Sequence, residues 1–304
     1  MTGFLPELPG CVERVGGVSG LPALRVSGPR SSGVVQLQGA QVTSFVPHGG
    51  REMLWLSPDA RAGATAIRGG VPVCFPWFGS GLSGDRSPSH GPARLARWRV
   101  RSAEEREDAV VVTLVLTPDA VAALGHGESW PDGLFATLEV SFGDELGLRF
   151  TARNEGEADV TLELALHAYL AVDDVRGVCI DGLDGSHVLD QVTGATGVVD
   201  GVMTFAGEVD SVVTAPGRSI VVSAEEAPRY RVERENLPDA VVWNPAAHKA
   251  AALSDVPDDA WPQFVCVEAA AVEHDAVTVA AGEQAVFRAS YVLASVPGRT
   301  PPVV

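Results

Sequence analysis

Period-two alternation is the feature that most constrains what this chain can fold into. Short runs rich in Val, Leu, Ile, Thr and Phe recur along its length, among them residues 34–38, 41–46, 109–116, 136–142, 148–154, 219–223, 229–234, 240–243 and 285–293. Side chains of a β-strand point alternately to opposite faces, so such runs suit strands with one face buried. They are punctuated by turn formers, drawn from 33 glycines and 21 prolines, which is the pattern of antiparallel structure. The segment Gly143-Asp144-Glu145-Leu146-Gly147 reads as a hairpin turn. Helical pattern is scarce. One short helix is expected after Thr117, with Thr117 as N-cap and Pro118 at the first helical position. The expected fold class is all-β.

A chain of 304 residues can form one large β domain. No internal repeat, heptad pattern or long linker divides it, so a single domain over residues 1–304 is expected, with a core at about 20–295 and loosely ordered termini. The proline-bearing stretch from Ser295 to Val304 reads as a frayed tail. With 22 Lys and Arg against 39 Asp and Glu, the formal charge is −17, which repels nucleic acid and anionic lipid surfaces. An anionic ligand would therefore need a local cluster of arginines. Cys11, Cys74, Cys179 and Cys266 lack metal or redox spacing and read as reduced thiols. The first residues carry no signal-peptide pattern and no long apolar stretch occurs, so a cytoplasmic protein is expected.

Two apolar runs carry a polar residue that burial would penalise. In the first, Leu162, Leu164, Leu166, Ala168 and Leu170 share one face, and Glu163, Ala165, His167, Tyr169 and Ala171 share the other. In the second, Phe264, Cys266, Glu268 and Ala270 oppose Val265, Val267 and Ala269. A buried imidazole and a buried carboxyl suit general acid/base chemistry. Each also has a structural reading, His167 as a plain core histidine and Glu268 as half of a buried ion pair with an arginine.

Two loops each surround one arginine with glycine and proline. Residues 66–79 hold Arg68 among glycines, prolines and aromatics, and residues 87–94 hold His90 and Arg94. Arginine presents a planar, permanently charged fork of donors that suits phosphate or several hydroxyls. A tie to an acidic neighbour would explain either one equally well. Trp77, Trp98 and Trp243 could stack on a sugar or simply pack. The seven histidines show no metal-ligand spacing, and no dinucleotide, phosphate-loop or nucleophile-elbow motif occurs.

Taken together, Ile67-Arg68-Gly69-Gly70-Val71-Pro72-Val73-Cys74-Phe75-Pro76-Trp77-Phe78-Gly79, His90-Gly91-Pro92-Ala93-Arg94, Leu166-His167-Ala168-Tyr169, Val242-Trp243-Asn244-Pro245 and Val265-Cys266-Val267-Glu268 resemble the D-hexose-6-phosphate mutarotases. These are the glucose-6-phosphate 1-epimerase branch of the aldose 1-epimerase superfamily. The resemblance spans roughly residues 30–295. It implies a galactose-mutarotase-like β supersandwich and cofactor-free interconversion of α and β anomers of a hexose 6-phosphate. It further implies His167 as catalytic acid, Glu268 as catalytic base, and Arg68 and Arg94 as substrate or phosphate contacts; His90, beside them, and Trp243, as a face for the sugar, are also expected at the substrate site. Asp190 is implied as a sugar-hydroxyl ligand, with Asp181 or Asp184 as alternatives. The expected partner is a small sugar or sugar phosphate, with no nucleic acid and no membrane, the chain being a monomer or weak homo-oligomer. An aldose 1-epimerase for free sugars and a non-catalytic carbohydrate-binding β sandwich are the competing expectations.

Overall fold

A computed structural model describes residues 6–214, 217–224 and 229–294. The tail expected from Ser295 onward lies outside them. Among the described residues every strand pair is antiparallel and only two α-helices form, Pro118–Ala122 and Ala246–Ala250. Thr117 stands at the N-cap with Pro118 opening the helix, although the threonine side chain makes no capping bond.

Two large sheets build the molecule. One has nine strands, with Leu134–Phe142, Leu146–Asn154 and Gln284–Ala294 near its centre. The other has eight, running from Thr196–Val198 through Val209–Thr214, Asp239–Asn244, Phe264–Ala271 and Leu164–Leu166 to Val73–Cys74. A four-stranded sheet covers residues 12–47 and a two-stranded one pairs Val160–Leu162 with Val277–Val279. Alternation in Val12–Gly16 and Pro22–Ser27 is too brief between its glycines and prolines to stand out in the sequence.

The main core lies between the two large sheets. Leu138, Phe150 and Tyr291 from the nine-stranded sheet meet Leu164, Leu166, Val242, Val265 and Val267 from the eight-stranded one. The opposite face of the eight-stranded sheet carries two smaller clusters, one around Trp55, Tyr169, Trp243 and Phe264 and one around Cys74, Phe78, Val212 and Val241. A strand in such a position is buried on both faces, which is why Phe264–Ala271 is apolar throughout. The polar residues on its second face then stand in a protein interior with a route to a cavity.

Candidate active site

His167 and Glu268 are neighbours because the strand register makes them so. Leu166 pairs with Ala269 and Tyr169 with Cys266, so His167 lies directly opposite Glu268. Directly opposed residues hold their Cβ atoms about 5 Å apart, and here His167 Nε2 is 3.3 Å from Glu268 Oε1. The histidine strand is broken at this point: the ladder runs over Leu164–Leu166 and resumes at Tyr169–Ala171. The His167 amide donates instead to the Pro72 carbonyl, 2.9 Å away. Both side chains are buried, Glu268 1% exposed and His167 8%. Glu268 Oε2 and His167 Nδ1 have no protein partner. Among the described residues the expected alternative for the glutamate, an ion pair with arginine, does not occur; the group beside its carboxyl is the His167 imidazole.

The arginine loops close over this pair through glycines. Gly70 has φ +64° and a Cβ there would lie 2.2 Å from the Val42 carbonyl oxygen, while Gly91 has φ +73° and a Cβ would meet the Phe75 carbonyl at 2.1 Å. Only glycine permits such close backbone approach. Gly70 thereby seats the Arg68 loop against the body of the protein, and Gly91 seats His90 and Arg94 against the neighbouring strand. Arg68 Nη1 donates to the Tyr169 hydroxyl at 2.9 Å, and its Nε sits 3.1 Å from Asp255 Oδ2. That N–H is not aimed at the carboxylate, so the contact is a charge pair rather than a directed hydrogen bond. Arg94 differs. Its Nη2 donates to the Ser89 carbonyl at 2.8 Å, its Nε is buried without a protein partner, and no acidic group pairs with it among the described residues. His90 accepts from the Gly79 N–H at Nδ1, 3.2 Å away, which leaves its ring proton on Nε2.

These groups line one cavity of about 600 Å³, which contains His167, Glu268, Arg68, His90, Arg94 and Trp243, a size suited to a small polar ligand. Asp190 is not among its walls. Its carboxylate accepts from Val192 N at 2.9 Å and from Thr193 Oγ1 at 2.7 Å, closing its own turn, and these bonds hold it below the usual carboxylate range. Register gives the reason. Asp190 lies opposite Ser211, so the next residue along, Gln191, lies level with Asp210, and it is this second pair that faces the cavity. Asp181 and Asp184 also lie outside it, Asp184 accepting from Gly201 N.

Asp210, Lys249 and Glu273 therefore join the site without a sequence cue. Lys249 Nζ is 2.6 Å from Glu208 and 3.6 Å from Asp210, across a separation that no local spacing encodes. Glu273 has φ +54° and its N–H is pinned by the buried Glu163 carboxylate at 2.8 Å. The same carboxylate accepts from Phe78 N at 3.1 Å, so Glu163 ties two walls of the cavity together.

Burial dominates the electrostatics. It pushes the Glu268 carboxyl well above its ordinary range, aided by Asp210 and opposed by Arg94. It pushes the His167 imidazole well below its ordinary value, and His90, Arg94 and Arg68 add to the shift. His90 is driven down to about 3, first by burial and then by Arg94 and Arg68. It is a neutral Nε2–H donor at any physiological pH. Burial also raises Asp210, against the pull of Lys249. The site can accept, donate and transfer protons while holding hydroxyl groups.

The sequence matches the family model described as aldose 1-epimerase over residues 23–292. It is 36% identical over 256 residues to an Escherichia coli (strain K12) protein provisionally named glucose-6-phosphate 1-epimerase, covering 82% of this chain and 83% of that one. The crystal structure of a provisionally assigned mutarotase, YeaD, from Salmonella typhimurium superposes with a TM-score of 0.85 at 28% identity, over 95% of this chain and 96% of that one. A galactose mutarotase-like protein from Clostridium acetobutylicum shares the fold with a TM-score of 0.70 at 12% identity, over 92% and 97% of the chains. No helix among the described residues is long and apolar enough to cross a membrane. With that match over most of its length, the chain belongs to the aldose 1-epimerase family and is an isomerase that interconverts sugar anomers.

Proposed function

We propose that the chain interconverts the α and β anomers of a hexose 6-phosphate without a cofactor, as one catalytic unit spanning the whole fold. The observation that carries this reading is the His167–Glu268 pair, 3.3 Å apart at the base of a polar cavity. Mutarotation removes a proton from the anomeric O1 hydroxyl and delivers one to the ring oxygen, opening the pyranose to the aldehyde. Rotation about C1–C2 and reclosure then give the other anomer. Glu268 acts as base toward O1 and His167 as acid toward the ring oxygen, the sugar replacing the direct contact between them. Ring opening leaves Glu268 protonated and His167 neutral, which is the form that burial favours. Reclosure reverses the transfer. Two protons are transferred, one to Glu268 and one from His167, so neither form of the pair carries net charge and no unpaired buried ion is created.

His90 offers its Nε2–H, and Asp210, paired with Lys249, takes sugar hydroxyls in the place expected of Asp190. Trp243 supplies an apolar wall. Arg94, the cavity arginine with no acidic partner among the described residues, takes the phosphoryl group, and the name of the E. coli relative supports a phosphorylated substrate.

A second reading, a free aldose, draws on the neutralised cations: Arg68 faces Asp255 and Lys249 faces Glu208 and Asp210. Polarimetry on anomerically pure glucose and glucose 6-phosphate separates the two. Preference for the phosphorylated sugar is expected, together with a bell-shaped pH profile. Glu268→Gln and His167→Ala are each expected to lose about 10²–10⁴-fold in rate. A near-wild-type rate in either variant would sink the acid/base assignment.

A further inference from the structure

Arg68 enters the cavity already committed to other protein groups, and those commitments lead to His167. The imidazole of His167 lies parallel to the phenol ring of Tyr169, with centroids 4.8 Å apart and planes 6° apart. Tyr169 is itself fixed. Its ring stacks on Trp55 at 5.9 Å, tilts against Phe264 at 5.3 Å and meets the edge of Trp243 at 6.0 Å. Its amide donates to Gly70 and its carbonyl accepts from Trp55. Its hydroxyl accepts from Arg68 at 2.9 Å, and Arg68 is in turn paired with Asp255 at 3.1 Å. The Asp255 end is also held, because its backbone carbonyl accepts from the Ser57 hydroxyl at 2.6 Å.

The other ring contacts of His167 are edge-on and longer, Trp243 and His90 each at 6.0 Å. Nδ1 has no protein partner, and Nε2 faces the carboxylate that the reaction needs free. A histidine ring is ordinarily oriented by a hydrogen bond to its second nitrogen. Here no protein group among the described residues makes that bond, and the flat face of Tyr169 stands along the ring.

We propose that Asp255, Arg68 and Tyr169 form a positioning brace that holds the His167 imidazole in plane to exchange its proton with the sugar ring oxygen. In this arrangement Arg68 acts chiefly through Tyr169, and the anionic group of the substrate falls to Arg94. The inference rests on the acid/base reading of His167 and Glu268. Besides Tyr169, the ionisable groups that face the imidazole are Glu268 across the sheet, His90 from the 87–94 loop, and Arg68 and Arg94. A displacement of about 1 Å in a reacting group can cost on the order of 10²-fold in rate, so loosening one ring within an otherwise intact site is expected to cost less.

Tyr169→Phe keeps the stacked ring and removes its anchor, and Asp255→Asn keeps the shape and removes the charge. Both are measured by polarimetry on glucose 6-phosphate across pH, alongside thermal unfolding. Tyr169→Phe is expected to lower kcat about tenfold with KM changed less than about twofold. The limb of the kcat profile that belongs to His167 should move toward the ordinary imidazole value of about 6.5. Asp255→Asn should act in the same direction and more weakly. A wild-type kcat and pH profile in Tyr169→Phe overturns the brace, as does a fall in Tm with the profile of the remaining activity unmoved. If Asp255→Asn lowers KM for the phosphorylated sugar with kcat unchanged, Arg68 is a substrate clamp and the brace is overturned. His167→Ala at wild-type rate defeats the acid/base reading itself. His167→Ala inactive with Tyr169→Phe unaffected defeats only the brace.

Discussion

A carboxyl and an imidazole buried on facing strands are each pushed toward the uncharged form, which suits the proposed exchange of a proton between them. Glu268 gains affinity for a proton and His167 loses it, each chiefly through burial. Arg94 stands apart as a cavity cation with no salt bridge among the described residues. Arg94→Ala is expected to raise KM for glucose 6-phosphate roughly 10–100-fold, the cost of losing a hydrogen bond to a charged group, with a smaller effect on glucose; equal effects on the two sugars would assign Arg94 to general packing. At this scale the sequence was informative wherever a polar residue interrupts an apolar run, as at His167 and Glu268, or where glycines crowd an arginine, as at Arg68. It was silent on Asp255, which lies in an unremarkable polar loop and reaches Arg68 only after folding.

Strand register decides which acid meets the sugar. Asp190 and Asp210 lie on paired strands, yet Asp190 is level with Ser211 and Gln191 is level with Asp210. A step of one residue exchanges the two faces of a strand. Asp210→Asn is accordingly expected to raise KM by about tenfold, near the worth of one hydrogen bond to a charged group. Asp190→Asn should leave KM unchanged and cost only local stability of the 190–194 turn. Steady-state kinetics on the two variants checks the register directly, and the opposite ranking would place Asp190 in the cavity. The period-two reading of Phe264–Ala271 and of residues 162–170 gave the faces correctly, even though the second run is divided among the short strands Val160–Leu162, Leu164–Leu166 and Tyr169–Ala171. Pairing is another matter: which strand lies beside Val209–Thr214 depends on contacts far along the chain, and alternation carries no information about partners.

Across the whole molecule, buried acids tie the cavity face of the eight-stranded sheet to its surroundings. Asp239 opens the strand Asp239–Asn244, is fully buried, and accepts from Val272 N at 2.9 Å. The ionisable groups facing it are Asp275, on the turn after Phe264–Ala271, and Arg234. Burial raises its carboxyl from 3.8 to about 7. A group with a raised folded value favours the native state fully below its unfolded value, and that contribution is lost as pH rises through the folded value. Asp239→Asn, which mimics the protonated acid, is therefore expected to gain in Tm relative to wild type as pH rises from about 4 to about 7, and to hold that gain above. His90 acts in the opposite sense: held down to about 3 from 6.5, it contributes stability above 6.5 that is lost as pH falls toward 3. Thermal unfolding across pH tests both, and a pH-independent difference between Asp239→Asn and wild type would remove the carboxyl from this role. The sequence by itself determined the all-β class, the buried faces and two polar residues that burial penalises, His167 and Glu268, since period and polarity are local properties. Only the tertiary structure decided that His167 and Glu268 oppose one another, that Asp210 rather than Asp190 reaches the cavity, and that Arg68 is bound to Tyr169 and Asp255. Those facts follow from strand order, register and loop closure, which are set by free energy summed over the whole chain.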